Sequence, residues 1–255
     1  MLEMTIDPWI GRRLAADADL RLFCLPCAGG GASAFRAWRA DLPASIDLCP
    51  VQLPGRENRL NEHPFTTMEP LVAALADGVE PHLREPYALF GHSMGALIAF
   101  ELARELRRRG APDAVRLFVA GFASPDTPRM RERHRMNDRD LIAELRDFGG
   151  TPAVLLNDAE MMRHVLPILR ADFSVIETYR RSDEPPLDIP LSGMAGADDR
   201  EAPAAAMTGW GRQSSAGFRL TVFSGDHFFV HASNVRKAVV EVIARDLFQT
   251  AAKVA

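Results

Sequence analysis

Tyr87-Ala88-Leu89-Phe90-Gly91-His92-Ser93-Met94-Gly95-Ala96-Leu97-Ile98-Ala99-Phe100-Glu101 is the stretch whose reading decides the fold. A short apolar run ends at Gly91, and a helical pattern starts at Met94, with Leu97, Ile98 and Glu101 at helical spacing. Between them, Gly91-His92-Ser93-Met94-Gly95 matches the G-x-S-x-G turn that lifts a serine between a strand and a helix. In an arbitrary loop this pattern is more often a flexible turn. Here the strand before it and the helix after it supply the context the motif requires. Ser93 is expected in a strained backbone conformation, with its hydroxyl above the sheet edge. Gly91 and Gly95 are small because strand and helix pass close to the turn, where a Cβ would clash. The Met94 N–H, at the helix start, would face negative charge developing on a substrate oxygen.

With 255 residues, 47% of them hydrophobic, the chain can bury a large core, and one α/β domain over 1–255 is expected. The net charge of -4 offers no basic field to nucleic acid. Arg104, Arg107, Arg108 and Arg109 cluster where a helix is expected to end, which suits its dipole. No apolar run approaches the roughly 20 residues of a membrane helix. The N-terminus carries acids and lacks an apolar signal core, so a cytoplasmic protein is expected. Cys24 and Cys27 form C-x-x-C, but no second such pair exists for zinc. Cys24 falls inside an expected strand rather than at the helix start a redox pair uses, so a structural role is expected. Cys49 lies in another strand and reads as core.

Further along the chain, Trp9 and Ile10 are candidates to dock on the body. Leu22–Leu25 reads as a buried strand, followed by a glycine-rich loop and a helix over Ala34–Leu42 bearing Phe35 and Trp38. A second strand spans Ile46–Gln52, and a helix carrying Leu71, Leu75, Val79 and Leu83 leads to Tyr87–Phe90. Later strands are Leu117–Phe122, Leu191–Ala195 and Arg219–Phe223. This alternation predicts a mostly parallel sheet flanked by helices. From about 126 to 188 the rhythm breaks: two helical patterns, Asp138–Phe148 and Asp158–Tyr179, stand without a strand. Insertions of this length are usually functional, and this one reads as a helical lid. Its Met161, Met162, Leu166, Leu169, Phe173 and Ile176 are expected mostly to pack, the alternative being to line an acyl pocket.

A serine hydroxyl needs a base in reach, and the base must be oriented. In an α/β-hydrolase the chain order is Ser, then Asp or Glu, then His. After the fifth strand come Gly196-Ala197-Asp198-Asp199; after the sixth come Ser224-Gly225-Asp226-His227-Phe228-Phe229. Of the seven histidines, His227 alone follows the last strand and a Gly. His92 is inside the turn, with its ring expected to point away from the serine's partner, and His231 is expected on the following helix. His227 and His231 have a metal-like spacing, but position 228 is Phe where a zinc protease motif has Glu, so no metal is expected. Asp198 and Asp199 compete as the acid, and either could instead cap the helix near Pro203. A second oxyanion donor would come from Cys27-Ala28-Gly29-Gly30-Gly31. Gly29-x-Gly31-x-x-Ala34 also fits a relaxed dinucleotide fingerprint. However, Gln52 stands where that fingerprint wants an acid, Asp47 lies at the strand's start, and no phosphate-loop lysine is present.

Together, Leu22–Gly31, Gln52-Leu53-Pro54-Gly55-Arg56-Glu57, Phe90–Gly95 and Gly225–Phe229 resemble a type II thioesterase of polyketide and nonribosomal peptide assembly lines. The resemblance covers nearly the whole chain, and its Pro-Gly-Arg-Glu loop is more specific than the serine turn. Cys27 departs from the family's usual aromatic or His, and Asp226 from a common second Gly. The resemblance implies an α/β-hydrolase fold and hydrolysis of acyl groups from the phosphopantetheine arm of acyl or peptidyl carrier proteins. It implies no cofactor of the enzyme's own, the arm belonging to the partner. It assigns Ser93 as nucleophile, His227 as base and Asp199, three residues after Gly196, as orienting acid. The amides of Met94 and Ala28 correspond to the oxyanion hole. A generic carboxylesterase or lipase, a medium-chain fatty acyl thioesterase and a non-enzymatic binding module are the alternatives.

Overall fold

The computed structural model describes residues 7–254 apart from 12–13, 16–17, 84–85 and 129–130. The reading of the extreme N-terminus falls partly on residues 1–6, outside the described residues. Six strands form one sheet: β1 (Leu20–Leu25), β2 (Ile46–Pro50), β3 (Tyr87–His92), β4 (Arg116–Ala120), β5 (Leu191–Gly196) and β6 (Phe218–Phe223). Their order is β2-β1-β3-β4-β5-β6 and every pairing is parallel.

The helices are α1 (Met68–Val79), α2 (Met94–Arg108), α3 (Asp138–Phe148), α4 (Ala153–Leu156), α5 (Ala159–Glu177), α6 (Ala204–Met207) and α7 (Arg236–Val254). The expected helix at Ala34–Leu42 is instead a 3-10 segment, Ala32–Ala40, which still buries Phe35 and Trp38.

The central strands read as continuous apolar runs because both sheet faces are covered. Alternate residues go to opposite sides. Phe23, Leu25 and Leu89 join the core beneath α1 and α2, whereas Leu22, Cys24, Ala88 and Phe90 join the core shared with α7 and the 32–40 segment. Trp9 and Ile10 are buried, and the Arg59 guanidinium lies 4.3 Å from the Trp9 ring centre.

The arginines ending α2 do more than oppose its dipole. Arg104 is buried and pairs with Glu101 and Glu184; Arg107 and Arg108 also reach Glu184, and Arg109 reaches Asp77 on α1. Arg104, Arg107 and Arg108 clasp the returning end of the helical insertion, a role that depends on Glu184 arriving from far along the chain.

α3, α4 and α5 lie between β4 and β5 and have their own apolar cluster, including Leu141, Leu145, Leu156, Met162, Leu166 and Phe173. Asn137 caps α3 by accepting the Asp140 N–H, and Gly149, with φ +79°, ends it; Asp158 caps α5. The four-residue α4 carries too little periodicity to be legible in the sequence.

Candidate active site

The chain leaves β1 toward one edge, returns to β3 and then proceeds toward the other. The carboxyl ends of β1 and β3 therefore flank the point where the strand order reverses, the place where open α/β sheets bind ligands. Ser93 follows β3 with φ +54° and ψ −120°, strained for a residue with a side chain. Its N–H donates to the Ala120 carbonyl at 2.8 Å, which ties the turn to β4. A Cβ on Gly91 would lie 2.0 Å from the Gly95 carbonyl oxygen, and one on Gly95 would lie 2.2 Å from that of Leu25. Both glycines are thus required by close backbone passage, as the sequence predicts.

Two late loops bring the other groups in. Asp199 Oδ2 and His227 Nδ1 are 2.9 Å apart, and both residues are buried. Asp199 Oδ1 also accepts the Glu201 and Ala202 amides, so the carboxylate orients an imidazole and caps the approach to α6 at once. Asp198 is exposed. Burial alone would raise the Asp199 carboxyl. The hydrogen bond from His227, that ring's charge and the two amides outweigh burial and hold it below the ordinary aspartate value. With Asp199 on Nδ1–H, the second nitrogen is left as the basic one. That Nε2 is buried and has no protein partner among the described residues. Ser93 and His227 line the same cavity, of about 440 Å³. They are not hydrogen-bonded to each other in this state; such contacts are often long without substrate and tighten in the complex.

Ala28 and Gly29 line this cavity too, and among the described residues neither the Ala28 nor the Met94 amide donates to a protein acceptor. Both N–H groups are thus left without a protein acceptor, one in the residue after Ser93 and one in the loop after β1. The far wall comes from the insertion: Phe148, Leu155, Val165, Leu169, Phe173 and Ile176. The stripe on α5 therefore divides. Met162 and Leu166 pack internally, Leu169 and Phe173 pack and also line the cavity, and Met161 is exposed.

His92 departs from expectation. Its ring packs against His227, with centroids 5.2 Å apart, and its Nε2–H donates to the His227 carbonyl at 2.8 Å. The cause is convergence of the β3 end with the loop after β6, where a fully buried ring nitrogen needs an acceptor. His231 sits on a short 3-10 turn, Phe229–His231, not on the following helix, which starts at Arg236.

The sequence reading missed a clamp on the glycine-rich loop after β1. Arg56 grips Asp172 of α5 in a bidentate pair, with Nη1–Oδ2 at 2.6 Å and Nη2–Oδ1 at 2.8 Å, and both side chains are buried. Asp172 Oδ2 also accepts the Gly29 N–H at 2.7 Å, and Arg56 donates to the Gly30 carbonyl. Gln52, standing where a dinucleotide site wants an acid, accepts the Ala32 N–H and donates to the Arg56 carbonyl. The available signal was an acid, Asp172, within the apolar stripe of α5. Removing one partner of a buried pair leaves an uncompensated charge and typically costs about 3–5 kcal/mol. Asp172→Ala is therefore expected to lower the unfolding free energy by about that amount and to lower kcat through the loosened loop, with partial rescue by Asp172→Asn. Urea denaturation checks the first part, and a loss below about 1 kcal/mol would refute it.

A parallel sheet with a strained serine between strand and helix, and a histidine–carboxylate pair on later loops, defines an α/β-hydrolase. The thioesterase domain family matches residues 20–247, and the chain belongs to that family. It is a hydrolase acting on thioesters. Among its relatives is the gramicidin S biosynthesis protein GrsT of Aneurinibacillus migulanus, 40% identical over 244 residues that cover 95% of this chain and 94% of GrsT. Two solved structures share the fold closely. RedJ, a thioesterase from the prodiginine biosynthetic pathway of Streptomyces coelicolor, superposes with a TM-score of 0.86 at 40% identity, covering 93% of this chain and 97% of RedJ. YbtT, a type II thioesterase from the yersiniabactin pathway, gives a TM-score of 0.83 at 33% identity, covering 94% and 97%.

Proposed function

We propose that this chain is a type II, editing thioesterase that clears acyl groups from the phosphopantetheine arms of carrier proteins in polyketide or nonribosomal peptide assembly lines. The observation that carries this reading is the buried Asp199–His227 pair, in which Nε2 has no protein partner and His227 lines the cavity that also holds the strained Ser93. The assembly-line setting is supported by the biosynthetic roles in the names of GrsT, RedJ and YbtT.

In this mechanism His227 takes the Ser93 proton as Oγ attacks the thioester carbonyl, and the Met94 and Ala28 amides stabilise the oxyanion. The pantetheine thiol leaves with a proton from His227. Water activated by His227 then attacks the acyl-enzyme and releases the free acid, restoring Ser93. Asp199 holds the imidazole in the required tautomer. These steps use no metal and no soluble cofactor, since the reactive thiol arrives on the partner. The chain acts as one domain, with residues 126–188 as a lid whose apolar side forms the acyl wall. Carrier proteins being the partners, with no nucleic acid or membrane engaged, we place the enzyme in the cytoplasm; no helix among the described residues is long and apolar enough to cross a membrane.

The test is a hydrolysis panel on one carrier protein loaded with short, medium and long acyl groups, beside the matching simple oxygen esters. Carrier-bound thioesters are expected to give the higher kcat/KM. Faster turnover of the oxygen esters would favour a general carboxylesterase with the same triad.

A further inference from the structure

Close to the serine turn, three metal-ligating side chains converge without serving the mechanism. Cys27 comes from the loop after β1, His92 is the last residue of β3, and His231 ends the turn after β6. One ligand atom from each lies within 4.8 Å of the other two. His92 is fully buried, and its Nδ1 has no hydrogen-bond partner among the described residues; neither nitrogen of His231 has one. Leaving a buried polar atom unsatisfied typically costs about 1–3 kcal/mol, so three in one place call for a reason.

The chemistry of the cluster supplies one. His92 donates Nε2–H to the His227 carbonyl, which fixes its tautomer and leaves the Nδ1 lone pair free. A second nitrogen held by a backbone carbonyl is the usual arrangement of a metal-bound imidazole. A thiolate and two neutral imidazoles suit a borderline-soft cation rather than calcium or magnesium.

We propose that Cys27, His92 and His231 form a binding site for one divalent zinc ion, with an exogenous fourth ligand. Zinc ligands at bond lengths of about 2.0–2.3 Å sit roughly 3.5 Å apart in a tetrahedron, so each side chain closes by about an ångström or less. Binding breaks the Cys27 S–H bond, forms S–Zn and passes the proton to buffer. The cation stands outside the hydrolytic steps. It ties together the segments carrying Ala28, Ser93 and His227. The site differs from those weighed in the sequence, where no metal was expected: it takes one residue from the C-x-x-C pair, one from the His227–His231 pair and one from the serine turn.

The test uses the full chain stripped with chelator, with Co²⁺ and Zn²⁺ as probes. One equivalent of Co²⁺ is expected to produce a thiolate-to-metal charge-transfer band that Zn²⁺ displaces, with about one proton released. Cys27→Ala should abolish the band and Cys24→Ala should retain it. His231→Gln should weaken binding more than about 100-fold. X-ray absorption of the zinc-loaded wild-type chain should show one sulfur and at least two imidazole nitrogens, a reading that needs no variant to fold. Absence of the band, its survival in Cys27→Ala, or a zinc shell without sulfur would overturn the site.

Discussion

Ser93→Ala is expected to abolish hydrolysis of acyl-carrier substrates while leaving the fold intact. In subtilisin, loss of the triad serine costs on the order of 10⁶ in kcat, or roughly 8 kcal/mol of transition-state stabilisation. The expectation is severe here because among the described residues no other hydroxyl or thiol sits in a strained turn between strand and helix. Cys27 lines the same cavity, but burial, followed by the nearby Asp172 charge, pushes its thiol up to about 11, so little thiolate is present to substitute. The Ser93 backbone is already strained, with φ +54°, and Ala meets the same strain, so stability should change little. A serine-directed fluorophosphonate should label the wild type and not the variant. Retained turnover in Ser93→Ala would reject the nucleophile, and a folded wild type that resists labelling would favour a binding module on this scaffold.

Asp199→Asn is expected to cut kcat by roughly 10⁴, the cost of the same change in a serine protease triad, where the amide stabilises the wrong imidazole tautomer. Asp198→Asn should leave turnover near wild type, since Asp198 is exposed. The reverse pattern would exchange their roles. Asp199 also carries a pH signature. Its carboxyl titrates below the ordinary value in the fold, so the unfolded chain binds its proton first as pH falls. The stability this contributes is complete above about pH 4, the unfolded value, and is lost as pH drops through the lower folded value. Asp199→Asn should therefore unfold more easily than wild type near neutrality, and the gap should shrink below about pH 4. A gap that stays constant down to pH 2 would contradict the linkage.

The two substitutions probe different kinds of information. The serine turn was legible because its determinants are contiguous: an apolar run, two glycines forced by close backbone passage, and a helical period. His227 was legible by position, following the last strand and a glycine. Asp199 was only half legible. Both neighbouring aspartates fit the pattern, and the choice between them depends on which carboxylate the turn after β5 aims at the imidazole.

By itself the sequence determined the sheet-and-helix alternation, the strained serine turn, the chain order of Ser93, Asp199 and His227 and the placement of a long helical insertion. Each of these is a local property, carried by periodicity, glycine position or spacing. Tertiary structure alone decided the Arg56–Asp172 clamp, whose partners lie 116 residues apart, the seating of His92 against His227, and the gathering of Cys27, His92 and His231. It also decided which residues of α5 face the cavity. The physical reason is that hydrophobic pattern fixes which face of an element is buried, whereas a contact between distant elements depends on how those faces are rotated and shifted once packed together.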